Sequence, residues 1–395
     1  MDNVDFKGLC ERGKEINDII IEYRRVLHMM PELKMDTPMT EKQIISFLKE
    51  IGIQNIRKGV GGHGVCATIT GLLPGKCLAI RADCDGLPIK EETGLPFASH
   101  NGNMHACGHD SHSAIVLGAA KLLMENRNKL KGSVKLIFQP YEEGDGGASR
   151  MIAERVLEDP HVDSIIALHN YPDVNGDFLP GDVIVAPGPP SANIFAYKAI
   201  FHGIEAHVCL SRDGVNPVYM ACDAAIQIEE LINKTAERSI NAITVINGGI
   251  RNNIIPESCS IEGSIRAFDR EKHENIKKTV MDIIRTTAER RGGSVDIEVS
   301  IDLMSTHIDS KMMKTFKKTV ESVFPQRGCM QMIQQDIIGE DFARYSDIIP
   351  ALYFFLCTHP KGKCYPLHNP KFDVNESVLY KGSVIFAAFA LTWQD

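Results

Sequence analysis

The sequence predicts an α/β protein: a mostly parallel sheet flanked by helices, interrupted by an inserted α+β domain. Short β-rich runs at 64–70, 77–83, 133–139 and 163–169 come first, and helical stretches at 113–125 and 148–157 lie between the later ones. That alternation is the pattern of a sheet with helical crossovers. The texture changes after Pro187-Gly188-Pro189-Pro190, where about four strands interleave with two long helices. Near residue 305 the α/β texture returns.

Taken in order, residues 11–30 place Ile16, Ile19, Ile20, Tyr23, Val26 and Leu27 at helical spacing, and Pro31 ends the segment. A second helix is expected over 40–51 with Thr40 as its N-cap. Gly59-Val60-Gly61-Gly62-His63-Gly64 fits G-x-G-x-x-G. A dinucleotide loop would open a helix, but the β-rich VCATIT follows, so the segment reads as a tight glycine turn. In the insertion, strands over 195–202, 242–247, 259–268 and 294–301 and helices over 217–235 and 271–291 suggest a ferredoxin-like unit. A helix over 312–324, a strand over 349–357 and a helix over 377–393 complete the chain. The domain division is therefore 1–190 with 305–395, and 191–304 inserted between them.

Composition narrows the function. The 395 residues are 44% hydrophobic and 24% charged, which fits a globular protein and argues against disorder. With 51 acids against 43 bases and no long basic block, nucleic acid is not an expected partner. The longest apolar run, VIFAAFAL at 384–391, is far below the roughly 18 residues of a membrane helix. Eleven cysteines without a C-x-x-C pair, behind a polar and acidic opening segment, predict reduced thiols and a cytoplasmic location.

One cluster stands out. His105, Cys107, His109, Asp110 and His112 fall within eight residues. Thiolate, imidazole and carboxylate are the ligands of transition metals. Several predicted strands also end in acidic or metal-capable residues. Arg81-Ala82-Asp83-Cys84-Asp85-Gly86 ends one; Gln139-Pro140-Tyr141-Glu142-Glu143-Gly144 follows another; His169 ends a third. His368 precedes the last helix. Adjacent acids in extended chain point opposite ways, so one of Glu142 and Glu143 can bind metal while the other stays free as a base. In parallel sheets, ligands sit beyond the carboxyl ends of the strands.

These residues resemble the M20 metallopeptidase family, in particular its amidohydrolase branch of hippurate hydrolases, N-acyl-amino-acid deacylases, N-acetyldiaminopimelate deacetylases and auxin-conjugate hydrolases. Arg25-x-x-His28-x-x-Pro31-Glu32 is similar to the family's opening motif. Arg81-Ala82-Asp83 through Leu87-Pro88, and Met104-His105-Ala106-Cys107-Gly108-His109-Asp110, follow in the family's order. So do Gln139-Pro140, Glu142-Glu143, Leu168-His169-Asn170, Asn253 to Pro256, Gly339 to Phe342, and Leu367 to Asp373. Gly203-x-x-x-His207 falls at the family's G-x-x-x-H, after which HVCLSRDGVNP departs from the usual pattern by placing Ser211 and Arg212 where Pro-His is customary. Ile338-Gly339 likewise stands where Gly-Ser is usual.

The resemblance implies a zinc-peptidase-like catalytic domain with two divalent metals, zinc first, with manganese, cobalt or nickel as alternatives. It implies an inserted lid that also forms a homodimer. Cys107 corresponds to the bridging ligand, with His109, Glu143, His169 and His368 completing the coordination. Glu142 corresponds to the general base that activates a metal-bridging water. Asp83 corresponds to an acid orienting a ligand. His105 and His112 are not ligands in that pattern. His207 corresponds to a histidine reaching the partner subunit's substrate carbonyl, and Asn253 to a substrate-holding asparagine. The expected reaction is hydrolysis of an N-acyl amino acid or related small amide, with a dipeptidase or aminopeptidase of the same superfamily, or more remotely a non-catalytic binding protein of the same fold, as alternatives.

Overall fold

A computed structural model describes residues 4–144, 146–233, 239–332, 339–360 and 362–393. The chain forms two compact units. The first runs to Pro190 and resumes at Thr306; the second spans Ser191–Ser305 with Gly339. The last two residues of the helix expected over 217–235, and Ile338, lie outside the described residues.

The first unit opens with α1 (Phe6–Glu15), α2 (Asn17–His28) and α3 (Pro38–Glu50). The single helix expected over 11–30 is thus two helices meeting at buried Ile16. Each follows its own neighbour, because α1 packs on the last helix of the chain while α2 packs on α4 (His109–Glu125). Thr40 is not the cap of α3. The helix starts at Pro38, and Glu32 satisfies its first turn by accepting from the backbone of Met39 and Thr40 and from the Thr40 hydroxyl.

The strands β1 (Ile56–Val60) and β2 (Gly64–Thr70) form a hairpin across the glycine turn, in which Gly59, Gly61 and Gly62 all take positive φ. Then come β3 (Leu73–Asp83), α4, β4 (Lys131–Gln139), α5 (Gly147–Ala153), β5 (Ser164–Tyr171) and β6 (Val183–Val185). In the second unit follow β7 (Asn193–His202), β8 (Ala206–His207), α6 (Pro217–Asn233), β9 (Ser239–Gly248), β10 (Ile254–Ile255), β11 (Ser258–Ala267), α7 (Arg270–Arg290) and β12 (Ser294–Leu303). The first unit closes with α8 (Ser310–Val323), β13 (Cys329–Gln331), α9 (Ala343–Ser346), β14 (Ala351–Cys357) and α10 (Leu379–Thr392).

The large sheet has the order β1-β2-β4-β3-β5-β14-β6-β13. Its centre, β4-β3-β5-β14, is parallel; β1, β2 and β6 join antiparallel. Alternate residues of the central strands feed two cores. Leu78, Ile80, Leu136, Phe138, Ile166, Leu168 and Phe354 pack with residues of α2, α4 and α10. Ala79, Ile137, Ile165, Ala167, Tyr353 and Phe355 pack with residues of α5 and α9. The four central strands therefore end on one edge, at Asp83, Gln139, Tyr171 and Cys357.

The second unit is a four-stranded antiparallel sheet, β12-β7-β11-β9, with the chain order βαββαβ of a ferredoxin-like fold. Phe195, Tyr197, Phe201, Ile261 and Ile265 alternate inward and pack with Ala224, Ile276 and Ile284. Among the described residues no helix is long and apolar enough to cross a membrane.

Candidate metal centre

The carboxyl edge of the parallel strands gathers the expected ligands. Cys107, His109 and His169 present ligand atoms within 4.8 Å of one another, and so do Cys107, Glu143 and His368. Cys107 Sγ lies 3.4 Å from His169 Nε2, and His368 Nε2 lies 3.1 Å from a Glu143 carboxylate oxygen.

The helix α4 begins at His109, four residues earlier than the sequence suggested, so His109 and His112 lie on its first turn rather than in a loop. Gly108 makes that start. Its φ is +86°, and a Cβ there would meet the Asn170 side chain at 2.0 Å. Cys107 precedes the turn and is buried.

The imidazoles are oriented by their second nitrogens. His109 Nδ1 donates to the Asp85 carbonyl at 2.9 Å. Burial opposes protonation of this ring, but Asp83, then Asp85 and Glu143, carry its metal-free pKa up to about 10, so a bound cation would take the place of a proton on Nε2. That atom is buried without a hydrogen-bond partner, with Asp83 and Glu143 carboxylate oxygens each at 3.9 Å. His169 Nδ1 donates to the Asn170 carbonyl at 2.8 Å, which frees Nε2 toward Cys107. His112 differs. Its Nε2 accepts from the Asn170 backbone N–H and its Nδ1 faces Asp83 at 2.6 Å, so neither nitrogen is free for a metal. His105 is buried with neither ring nitrogen hydrogen-bonded, and burial first of all lowers its pKa to about 4.

These atoms fit divalent cations. A buried, unpartnered imidazole nitrogen is costly unless something accepts its lone pair. Burial, then the charges of Glu143, Glu142 and Asp83, hold the Cys107 thiol well above its ordinary range, a cost that a bound cation reverses.

Glu142 lies beside this group in a carboxylate cluster with Glu340 and Asp341. Burial, then the charges of Glu340, Glu143 and Asp341, raise its carboxyl well above the usual range. Arg81 is the only cation the cluster's hydrogen bonds engage among the described residues: it contacts Asp83 at 2.7 Å, Asp341 at 2.9 Å and Glu340 at 3.1 Å. Burial raises Asp341 to about 7 despite the opposing pull of Arg81. Tyr141, just before Glu142, has φ +62°, a strained conformation of the kind concentrated at functional sites.

Asp85 has no role that the sequence motif at 81–86 reveals. It is buried, and its carboxylate accepts from the backbone N–H groups of Glu142 at 3.1 Å and Glu143 at 3.3 Å. With its carbonyl on His109, it orders three site residues. The available signal was its position two residues past Asp83 at a strand end.

In the second unit, His207 and Asn253 come together. The strands β8 and β10 pair Ile254 with His207, and Val208 donates its backbone N–H to the Asn253 carbonyl at 3.0 Å. Both residues are exposed. His207 Nδ1 accepts from the Cys209 backbone N–H at 3.3 Å, which leaves the proton on Nε2. Gly203 is needed for close approach, since a Cβ there would meet the Val215 carbonyl at 2.0 Å.

Comparison with known proteins identifies the family. The peptidase family M20/M25/M40 matches residues 79–392. The chain is 32% identical to thermostable carboxypeptidase 1 of Saccharolobus solfataricus, over 97% of each chain. It is 35% identical to N-acetyl-L-cysteine deacetylase of Bacillus subtilis, over 92% of this chain and 85% of the relative. The solved structure of the Bacillus subtilis YXEP protein, described as a dinuclear metal-binding peptidase of the M20 family, superposes with a TM-score of 0.81 at 31% identity, covering 96% of this chain and 98% of that one. With most of its length matched in sequence and nearly all of it in fold, the chain belongs to the peptidase family M20/M25/M40.

Proposed function

We propose that the chain hydrolyses the amide bond of N-acyl amino acids or related small amides, using two divalent metal ions. The observation that carries this is the convergence of Cys107, His109, Glu143, His169 and His368 beside Glu142 at one sheet edge. These five side chains would hold the ions, with Cys107 common to two of the ligand-type groups. Thiolate and imidazole favour zinc, with manganese, cobalt and nickel as alternatives. When bound, the ions lower the pKa of a water toward neutrality and polarise the substrate carbonyl.

Glu142 takes a proton from the attacking water and later gives it to the leaving nitrogen. Without metal, burial and then Glu340, Glu143 and Asp341 raise its proton affinity, which favours holding the proton between the two transfers. Asp83 fixes Arg81 and His112 and so steadies the wall behind His109. His207 would donate from Nε2 to the carbonyl oxygen as it gains charge, from the lid of a second subunit, with Asn253 beside it holding substrate. A homodimer through the second unit is supported by β9, which pairs only with β11 among the described residues. Ile226 on α6 and Ile246 on β9 are also more than half exposed. Eleven free cysteines support a reducing, cytoplasmic setting.

The 32% identity to a thermostable carboxypeptidase keeps a peptidase reading in play. One assay separates the two: amine release from N-acetyl and N-benzoyl amino acids against Gly-X dipeptides, with the enzyme reloaded in turn with zinc, manganese and cobalt. The deacylase reading expects the N-acyl amino acids to be the better substrates. Faster cleavage of dipeptides with every metal would replace it with the peptidase reading.

A further inference from the structure

The R-x-x-H-x-x-P-E stretch has no part in the chemistry above, yet the side chains around it run into the back of the metal centre. We propose that Arg24, assisted by His28, is a positioning residue for that centre. It clamps the carboxylates of Asp110 and Asp373, and through them holds His109 and His368 where the ions need them. The proposal rests on the reading of those two histidines as ligands.

Arg24 projects from α2 and is fully buried. It donates from Nε to Asp110 at 3.0 Å, from Nη2 to Asp373 at 2.9 Å and from Nη1 to Glu376 at 2.9 Å. Its partners come from two remote segments. Asp110 follows His109 on the first turn of α4, and Asp373 follows His368 in the segment leading to α10. One guanidinium therefore ties together the two stretches that carry these ligands. Lysine could not do this, because only the planar fork offers donors in three fixed directions at once. His28 adds a second tie. Its Nδ1 meets the same Asp110 oxygen at 2.7 Å and its Nε2 meets Glu91 at 3.1 Å.

His368 needs such a tie. Its φ is +62°, a conformation that a residue with a Cβ keeps only when its surroundings impose it. Its own side chain is half exposed, so packing of the ring does not supply the constraint. The constraint comes from the flanks: the His368 backbone N–H donates to the Ala106 carbonyl at 2.9 Å, Phe372 is buried, and Asp373 is held by Arg24.

The test measures metal binding rather than turnover. Full-length protein is equilibrated with graded zinc buffers, and bound zinc is counted by plasma mass spectrometry for Asp373→Asn, Arg24→Lys, His109→Ala, His368→Ala and wild type. Melting of the metal-free proteins is the fold control. Asp373→Asn should fold normally and bind the His368-held ion about 10- to 100-fold more weakly, with the other ion unchanged. Arg24→Lys should weaken both. Wild-type affinity for both ions in folded Asp373→Asn overturns the clamp, whether or not Arg24→Lys folds. Retention of both ions by His109→Ala and His368→Ala overturns the ligand reading instead, and the clamp with it.

Discussion

His109 donates from Nδ1 to the Asp85 carbonyl at 2.9 Å, while its Nε2 is buried with no hydrogen-bond partner. The first contact orients the ring so that Nε2 faces the ligand-type atoms of Cys107 and His169. The same Asp85 accepts the backbone N–H groups of Glu142 and Glu143. One acid thus orients His109 and the turn that carries Glu142 and Glu143.

Asp85→Asn puts an amide donor where one of two N–H groups needs an acceptor. Zinc affinity should fall about 10- to 100-fold, as for other groups that orient metal ligands. Competition with a chromophoric chelator measures it, and unchanged affinity removes Asp85 from its assigned role.

Cys107 should be shielded from alkylating reagent in the metal-loaded protein and become labelled after chelation, since a coordinated thiolate is occupied. Labelling is read at Cys107 itself by peptide mapping. Equal rates with and without chelator argue against ligation there.

The His28 tie gives stability a pH signature. Burial pushes its imidazolium down, but Asp110 by charge and hydrogen bond, and Glu91 by hydrogen bond, carry the pKa up from 6.5 to about 9. A raised pKa means the folded state binds the proton more tightly. The contribution is complete below pH 6.5 and disappears as pH rises through about 9. At full strength it is roughly 3 kcal/mol, at about 1.4 per pKa unit. Metal-free wild type should therefore exceed His28→Gln in stability most at pH 6, with the gap narrowing steadily toward pH 9. Denaturant melts across that range measure it, and a gap that widens with pH contradicts the assignment.

If His207 acts across a dimer, His207→Ala and Glu142→Gln should each be nearly inactive alone. Co-refolded in equal amounts, about half the dimers are hybrids, and one site in each hybrid keeps both groups. About a quarter of wild-type activity per site should return if the sites act independently. No recovery in a mixture shown by mass to contain hybrids would exclude His207 from the partner's site.

The chemistry was more legible than its supports. Cys107 and His109 stood out in one dense cluster, Glu143 and His169 at strand ends and His368 before the last helix, and the structure brings their ligand-type atoms together. The start of α4 is hidden in the sequence because its signal is Gly108 in a left-handed conformation, which looks like one more glycine. The spacing points to Thr40 as a cap, whereas the acceptor, Glu32, lies in the preceding loop. The contacts of Asp85 and Arg24 are not legible in the sequence for a related reason. Their partners are 57 and 349 residues away, and no local spacing encodes such pairings.

Glu142→Gln asks whether the proposed metal centre works through Glu142. The amide keeps the shape but cannot take or return a proton. The variant should fold, bind two equivalents of metal by plasma mass spectrometry, and lose about 10²–10⁴-fold in turnover of its best N-acyl amino acid. Turnover within threefold of wild type, with both metals bound, would contradict the account.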